Sequence, residues 1–390
     1  MSELPNPLIP GFNPDPSCVL VNGTYYLITS SFEYLPGIPI HRSTDFVDWK
    51  QIGNVVTREE QVGLARTPSG AGVWAPTIRH HDGLFHVIVS MAASSRSCVV
   101  FTAADPAGPW SDGLSIAGVN GIDPDLAWDE AGAAYVTWSD LKFEGTAVVA
   151  HRGILQSRVD LTSGTLLEVP RPLWSGTGLI APEAPHLYKR DGHWYLLIAE
   201  GGTGWAHAVS VARGPTIEGP FEGAPGNPVL RPSGTGSPVT CVGHADLVRA
   251  PDGRDVLVLL ATRKAGEHSP LGRETFVTGL EWIDGWPIPA PVVLNPRPED
   301  LEEHFDFADG SALADPGWIS VGRTPHDVAS LGEKPGYLTI RAEHGGLDAF
   351  RPDFVGRASA TTGASSRPAS TRPRAGAASA CATTRSSRSP

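Results

Sequence analysis

Apolar residues in this chain gather in short continuous runs, each entered through a polar turn that carries glycine, and the arrangement recurs five times. The units are Asn22-Gly23-Thr-Tyr-Tyr-Leu-Ile-Thr, Asp82-Gly83-Leu-Phe-His-Val-Ile-Val, Ala131-Gly132-Ala-Ala-Tyr-Val-Thr-Trp, Asp191-Gly192-His-Trp-Tyr-Leu-Leu-Ile and Asp252-Gly253-Arg-Asp-Val-Leu-Val-Leu. The turn glycines stand at 23, 83, 132, 192 and 253, steps of 60, 49, 60 and 61 residues. A second apolar segment precedes each turn (17–21, 77–79, 126–128, 185–188, 245–248), so every unit reads as a β-hairpin. Four of the five turns are Asn-Gly or Asp-Gly, the strongest short-range hairpin signal. Further strand and turn signals follow each hairpin, at 45–50, 105–110 and 217–221 for example. Units of about four strands repeated radially are the blades of a propeller. A solenoid is the competing repeat, but its units run to about 20–45 residues and often carry helices. The pattern predicts an all-β chain: a five-bladed β-propeller over residues 1–300, then the incomplete start of a β-sandwich over 301–355.

Composition changes this picture at one place. The 390 residues are 41% apolar and 18% charged, with 44 Gly and 36 Pro, as a turn-rich β protein requires. After Val355, however, neither a branched aliphatic nor an aromatic side chain occurs, and residues 351–390 hold seven Arg against one Asp. Such a tail, 356–390, cannot bury enough surface to order itself. The abruptness of the break reads as a slip of reading frame. A net charge of −12 removes the positive field that nucleic acids or anionic membranes would need. No apolar run approaches the roughly 18 residues of a membrane span, and the N-terminus lacks the basic start and apolar stretch of a signal peptide. The expectation is a cytoplasmic protein whose partner is a small neutral ligand, with homo-oligomerisation left open. Cys18, Cys98, Cys241 and Cys381 show no CxxC spacing, so buried thiols are expected.

Counting nine residues back from each turn glycine gives Trp74, Asp123, Glu183 and His244, and eight back in the first unit gives Asp15. The first strand of a propeller blade lines the central channel, so these five side chains should ring one mouth of the axis. Three are carboxylates. Two converging carboxylates serve a glycosidase: one, protonated, delivers a proton to the leaving oxygen, and the other activates water or attacks directly. A third raises a neighbour's pKa by its charge and so keeps the acid protonated. The same oxygens suit calcium or magnesium. No dense Asp-x-Asp-x-Asp run is present, and His244 sits in the ring, so the cation alternative narrows to a divalent ion, calcium, beside His244. His244 also fits a plain hydrogen-bonded structural role. Trp74 and Phe32 offer rings to the C–H face of a sugar, ordinary core packing being the alternative for Phe32. Arg273 suits a fork to vicinal hydroxyls or a carboxylate, the alternative being an ion pair with Glu274 or another acid.

Several segments together, Asn6-Pro-Leu-Ile-Pro-Gly-Phe-Asn-Pro-Asp-Pro-Ser, Val73-Trp-Ala-Pro, Ile122-Asp-Pro, Pro182-Glu-Ala-Pro-His-Leu-Tyr, Ala199-Glu-Gly-Gly-Thr and Leu271-Gly-Arg-Glu-Thr, resemble the β-xylosidases of glycoside hydrolase family 43. The likeness runs in order over about residues 6–300 and weakly to about Arg357. It implies a five-bladed propeller and an inverting reaction, with Asp15 as general base, Glu183 as general acid and Asp123 as the carboxylate that tunes and orients the acid. Phe32, Trp74, His207, His244 and Arg273 fall on positions that line the family's sugar pocket. The implied activity is exo-acting release of D-xylose from short β-1,4-xylo-oligosaccharides, with no cofactor required. An α-L-arabinofuranosidase, or an inactive carbohydrate-binding propeller, is the alternative. Inversion needs room for a water, so the Asp15 and Glu183 carboxyl groups are expected roughly 6.5–9.5 Å apart. The resemblance also implies a β-sandwich after the propeller, one loop of which closes the pocket.

Overall fold

The computed structural model describes residues 4–64, 67–94, 96–144, 147–234, 236–297, 305–341, 349 and 351–360. Five antiparallel sheets follow one another along the chain. Blade 1 is Ser17–Val21, Thr24–Ile28, Gly37–Ser43 and Lys50–Val56. Blade 2 is Gly72–His81, Leu84–Ala92, Cys98–Ala103 and Leu114–Ser115. Blade 3 is Gly121–Trp128, Ala134–Glu144 and Ala147–Asp160, the last pairing both Thr165–Leu166 and Arg171–Trp174. Blade 4 is Glu183–Arg190, His193–Glu200, Ala208–Gly214 and Glu222–Gly223. Blade 5 is Val239–Arg249, Asp255–Arg263, Arg273–Ile283 and Trp286–Pro289. The first strand of each blade touches the first strands of its two neighbours, which closes the ring.

The continuous apolar runs have a simple cause. A second strand lies between two seams, so successive side chains enter different cores and both faces are buried. Leu27 packs toward blade 5 with Val258 and Tyr25, whereas Ile28 packs toward blade 2 with Val87 and Phe101. Ile88 and Val136 meet between blades 2 and 3, Tyr135 and Leu196 between blades 3 and 4, and Leu197 and Leu257 between blades 4 and 5. There is one such cluster for each of the five seams. Cys18 and Cys98 are buried free thiols, while Cys241 is partly exposed.

The inner hairpins close in two ways. Blades 1, 2 and 4 use two-residue turns, Asn22-Gly23, Asp82-Gly83 and Asp191-Gly192, with both residues at positive φ as a type I′ turn demands. Blades 3 and 5 use five-residue turns between Trp128 and Ala134 and between Arg249 and Asp255. Asp252-Gly253 is therefore not a type I′ turn; only Gly253 is left-handed there.

The chain's start seals the ring. Asn6 pairs with Asn295 and Ile9 with Thr275 along the outer part of blade 5. The Asn6 side chain bridges Val277 and Val293, donating to both carbonyls at 2.8 Å.

Beyond blade 5 lies the segment where the sequence reading expects the start of a sandwich. The described residues there hold two-residue strands, Ser320–Val321, Ala329–Ser330 and Thr339–Ile340, a 3-10 turn, Ala312–Ala314, and a single α-helical turn, Pro325–Val328. Ser320–Val321 does not pair within its own segment but with Tyr34–Leu35 of blade 1. Gly322 donates to the Glu33 carbonyl (2.8 Å), and Gln51 and Asn54 donate to that of Pro316 (2.9 and 3.0 Å). The segment is thus held as an edge addition to the propeller. The tail from 361 and the 298–304 boundary lie outside the described residues.

Candidate active site

The channel mouth lies at the ends of the inner strands opposite the turn glycines. At that end each blade sets a left-handed residue at an equivalent position: Asp15 (φ 55°), Ala75 (44°), Asp123 (55°), Ala184 (51°) and His244 (49°). In blades 2 to 5 the inner ladder slips at this point, as a β-bulge does when it re-aims a side chain. Each such non-glycine residue costs of order 1–3 kcal/mol, and strain of this kind collects at functional sites. The pseudo-fivefold position is therefore slightly displaced from a uniform count of nine. It stands eight residues before the glycine where the turn is short and nine where it is long. Ala75 and Ala184 occupy it in blades 2 and 4, and Trp74 and Glu183 come one residue earlier.

Asp15, 5% exposed, is held at both oxygens. Arg273 Nη1 donates to Oδ1 at 2.8 Å, and Ser30 Oγ donates to Oδ2 at 2.5 Å. Ser30 Oγ in turn accepts the Ala75 N–H at 2.7 Å. An N–H can only donate, so the serine proton is directed at Asp15. His244 Nδ1 stands 3.8 Å from Oδ1. Burial would raise the Asp15 pKa, but Arg273, His244 and Ser30 outweigh it and hold the carboxyl below its usual range. The acid that Arg273 pairs with is thus Asp15 and not Glu274, which pairs with Arg263 at 2.6 and 2.8 Å and accepts the Gly11 N–H.

Asp123 and Glu183 are shifted the other way. Burial, then the charge of Asp15, pushes Glu183 up to about 7 against the pull of Arg273. Burial, then Glu183 and Asp15, drives Asp123 well above its usual value, although its Oδ2 accepts the Ala184 N–H at 3.1 Å. The charge of Glu183 disfavours ionisation of Asp123, so the pair retains a proton where Asp15 has none.

The remaining sequence candidates surround these three. Phe32, itself left-handed (φ 52°), lies under the Arg273 guanidinium (5.5 Å) and against Phe12, and exchanges backbone hydrogen bonds with Val73. Trp74, half-buried, donates from Nε1 to the Gly70 carbonyl at 3.0 Å. His207 is fully buried, with Nδ1 3.2 Å from the Cys241 carbonyl and its ring flat against Gly243. Burial lowers His207 to about 4 and His244 to about 3, so both are neutral imidazoles. Among the described residues no three His, Cys, Asp or Glu side chains cluster as a metal site. A concavity of about 490 Å³ between His81, Trp128 and Arg158 lies at the opposite end of the blades and contains none of these groups.

A second layer was not anticipated from the sequence. Two residues past each left-handed position the same strand face presents Ser17, Thr77, Asp125, His186 and Asp246, all buried. Two residues further, Arg79 and Tyr188 join them. Arg79 reaches Asp125 (2.7 Å), Asp246 (3.2 Å) and His186 Nδ1 (3.0 Å), Tyr188 donates to Asp246, and Ser17 donates to Asp246 at 2.6 Å. This girdle ties inner strands together below the mouth, and the His186 ring lies 6.3 Å from that of His244. The period-2 rule applied from the mouth residues would have found it.

A propeller channel that gathers three carboxylates with opposed proton affinities, beside aromatic rings and an arginine, is the equipment of a glycoside hydrolase. The chain belongs to glycosyl hydrolases family 43, whose profile matches residues 4–287. It is 37% identical over 372 residues to the xylosidase/arabinosidase of Butyrivibrio fibrisolvens, covering 90% of this chain and 71% of that protein. It is 36% identical over 375 residues to the non-reducing end α-L-arabinofuranosidase BoGH43B of Bacteroides ovatus, covering 90% and 68%. Among solved structures, the xylan β-1,4-xylosidase of Bacillus halodurans C-125 superposes with a TM-score of 0.82 at 31% identity, over 92% of this chain and 72% of the other.

Proposed function

We propose that the chain is an exo-acting, inverting β-xylosidase that releases D-xylose from the non-reducing end of short β-1,4-xylo-oligosaccharides. The observation that carries this reading is the split in proton affinity: Asp15 held anionic by Arg273 and Ser30, the Asp123–Glu183 pair holding a proton. Asp15 takes a proton from water as that water attacks the anomeric carbon. Glu183, kept protonated by burial and the charge of Asp15, protonates the glycosidic oxygen on the opposite side, and Asp123 orients the acid. Phe32 and Trp74 face the sugar ring, and Arg273 orients both Asp15 and a hydroxyl of the sugar. The girdle around Arg79 supports exo action, because a filled channel leaves the substrate one way in.

Hydrolysis of nitrophenyl β-D-xyloside by the parent chain, lost in Asp15→Ala and Glu183→Ala, is the expected result. Proton NMR should show α-xylose as the first product. Full activity in either variant would overturn the assignment, and β-xylose would overturn inversion. The arabinofuranosidase reading is supported by the names of the two relatives; faster turnover of nitrophenyl α-L-arabinofuranoside would favour it. Sugar binding without turnover of either substrate would leave a binding propeller.

A further inference from the structure

Blade 4 leaves large apolar side chains in solvent next to its carboxylate. Leu179 is 39% exposed and Ile180 73%, on the loop that runs into Glu183, and Trp205 is 62% exposed on the loop that runs into His207. The two loops are built together. Gly201 donates to the Ile180 carbonyl at 2.7 Å, and Thr177 donates to the Glu200 carboxylate from its N–H (2.8 Å) and hydroxyl (2.9 Å). The Trp205 loop is tight: His207 N–H returns to the Gly204 carbonyl at 3.1 Å, and a Cβ on Gly201 (φ 87°) would stand 2.0 Å from the Ala206 oxygen. One face of the indole is covered by Lys264 Nζ of blade 5, 4.4 Å from the ring centroid. Its exposure leaves the other face to solvent.

We propose that Trp205 is the stacking platform for the leaving group, the xylosyl ring on the far side of the scissile bond, with Ile180 and Leu179 at its edge. The inference rests on the glycosidase reading with Glu183 as acid. The proton from Glu183 goes to the bridging oxygen, so the departing ring stands on the Glu183 side of the mouth, where these two loops form the rim. A pyranose presents a C–H face that covers exposed indole, and its hydroxyls remain in water. A monosaccharide in the pocket has no use for this surface; an oligosaccharide does.

The test compares xylotriose with β-D-xylosyl fluoride, whose leaving group is one atom. In Trp205→Ala, kcat/KM for xylotriose is expected to fall about tenfold, the scale of one lost ring-stacking contact, while kcat/KM for the fluoride stays within twofold. Trp205→Phe should recover most of the loss. An unchanged fluoride rate also shows that the variant is folded. Equal losses on both substrates, or none on xylotriose, would overturn the platform while leaving the glycosidase reading intact. A parent chain that turns over neither substrate would remove both.

Discussion

Ser30→Ala is the sharpest probe of how Asp15 is held. The substitution removes a 2.5 Å hydrogen bond to a buried carboxylate, and hydrogen bonds to charged groups contribute about 1.5–3 kcal/mol. At 1.36 kcal/mol per pKa unit this raises the Asp15 pKa by about one to two units. Arg273 stays on the other oxygen, so Asp15 remains ionised near pH 6 and the plateau of kcat/KM changes less than its acid limb. The Ala75 N–H loses its acceptor as well, which costs about 1–3 kcal/mol of stability. The assay is kcat/KM for a β-xyloside between pH 3 and 8, with thermal unfolding alongside. The acid limb should move upward by about one to two units. An unmoved limb with a lower plateau would mean that Ser30 only packs, and the argument that it sets the charge of the base would fail.

The alkaline limb should lie near 7, where Glu183 loses its proton. Glu183→Gln should cost about 10²–10⁴ in kcat for xylobiose yet spare a fluoride leaving group that needs no protonation. The same carboxyl titrates from 4.5 unfolded to about 7 folded, so the native chain binds more protons across that window. Stability should therefore fall as pH rises from about 4.5 to 7, less steeply in Glu183→Gln, as denaturant midpoints would record. Gly243→Ala would place a Cβ 2.3–2.4 Å from the His207 ring; a loss of about 1–3 kcal/mol and a higher KM are expected from denaturation and kinetics. Asp246→Ala leaves Arg79 with one carboxylate instead of two, and chemical denaturation should show a loss of about 3–5 kcal/mol.

The blades were legible because each second strand is buried on both faces and announces itself as an apolar run behind a glycine turn. Asp15, Asp123 and Glu183 were legible because they sit at nearly constant distance from those turns. The offset of one residue at Trp74 and Glu183 was not, since turn length depends on how Asp129 and Ala250 fold back, and Asp252-Gly253 looks like Asp82-Gly83 in sequence. Ser30 carried no signal of its own: its role arises from the Ala75 N–H of another blade. Arg273 was ambiguous beside Glu274 until Arg263 was seen to take that acid. Nothing in residues 305–357 foretold that Ser320–Val321 would pair with Tyr34–Leu35, because strand partners so distant are set by the finished surface.

The clasp between the chain's first residues and blade 5 carries one more consequence. Asp15 meets Arg273 across 258 residues of sequence, and Asn6 meets Val277 across 271. Neither meeting happens until the last blade has docked against the first, so the centre does not exist in any partly assembled ring. Contacts this distant are slow to form. On refolding, tryptophan burial within the individual blades should run ahead, and turnover should return only with the final locking event, which makes hydrolysis itself a clock for circularisation.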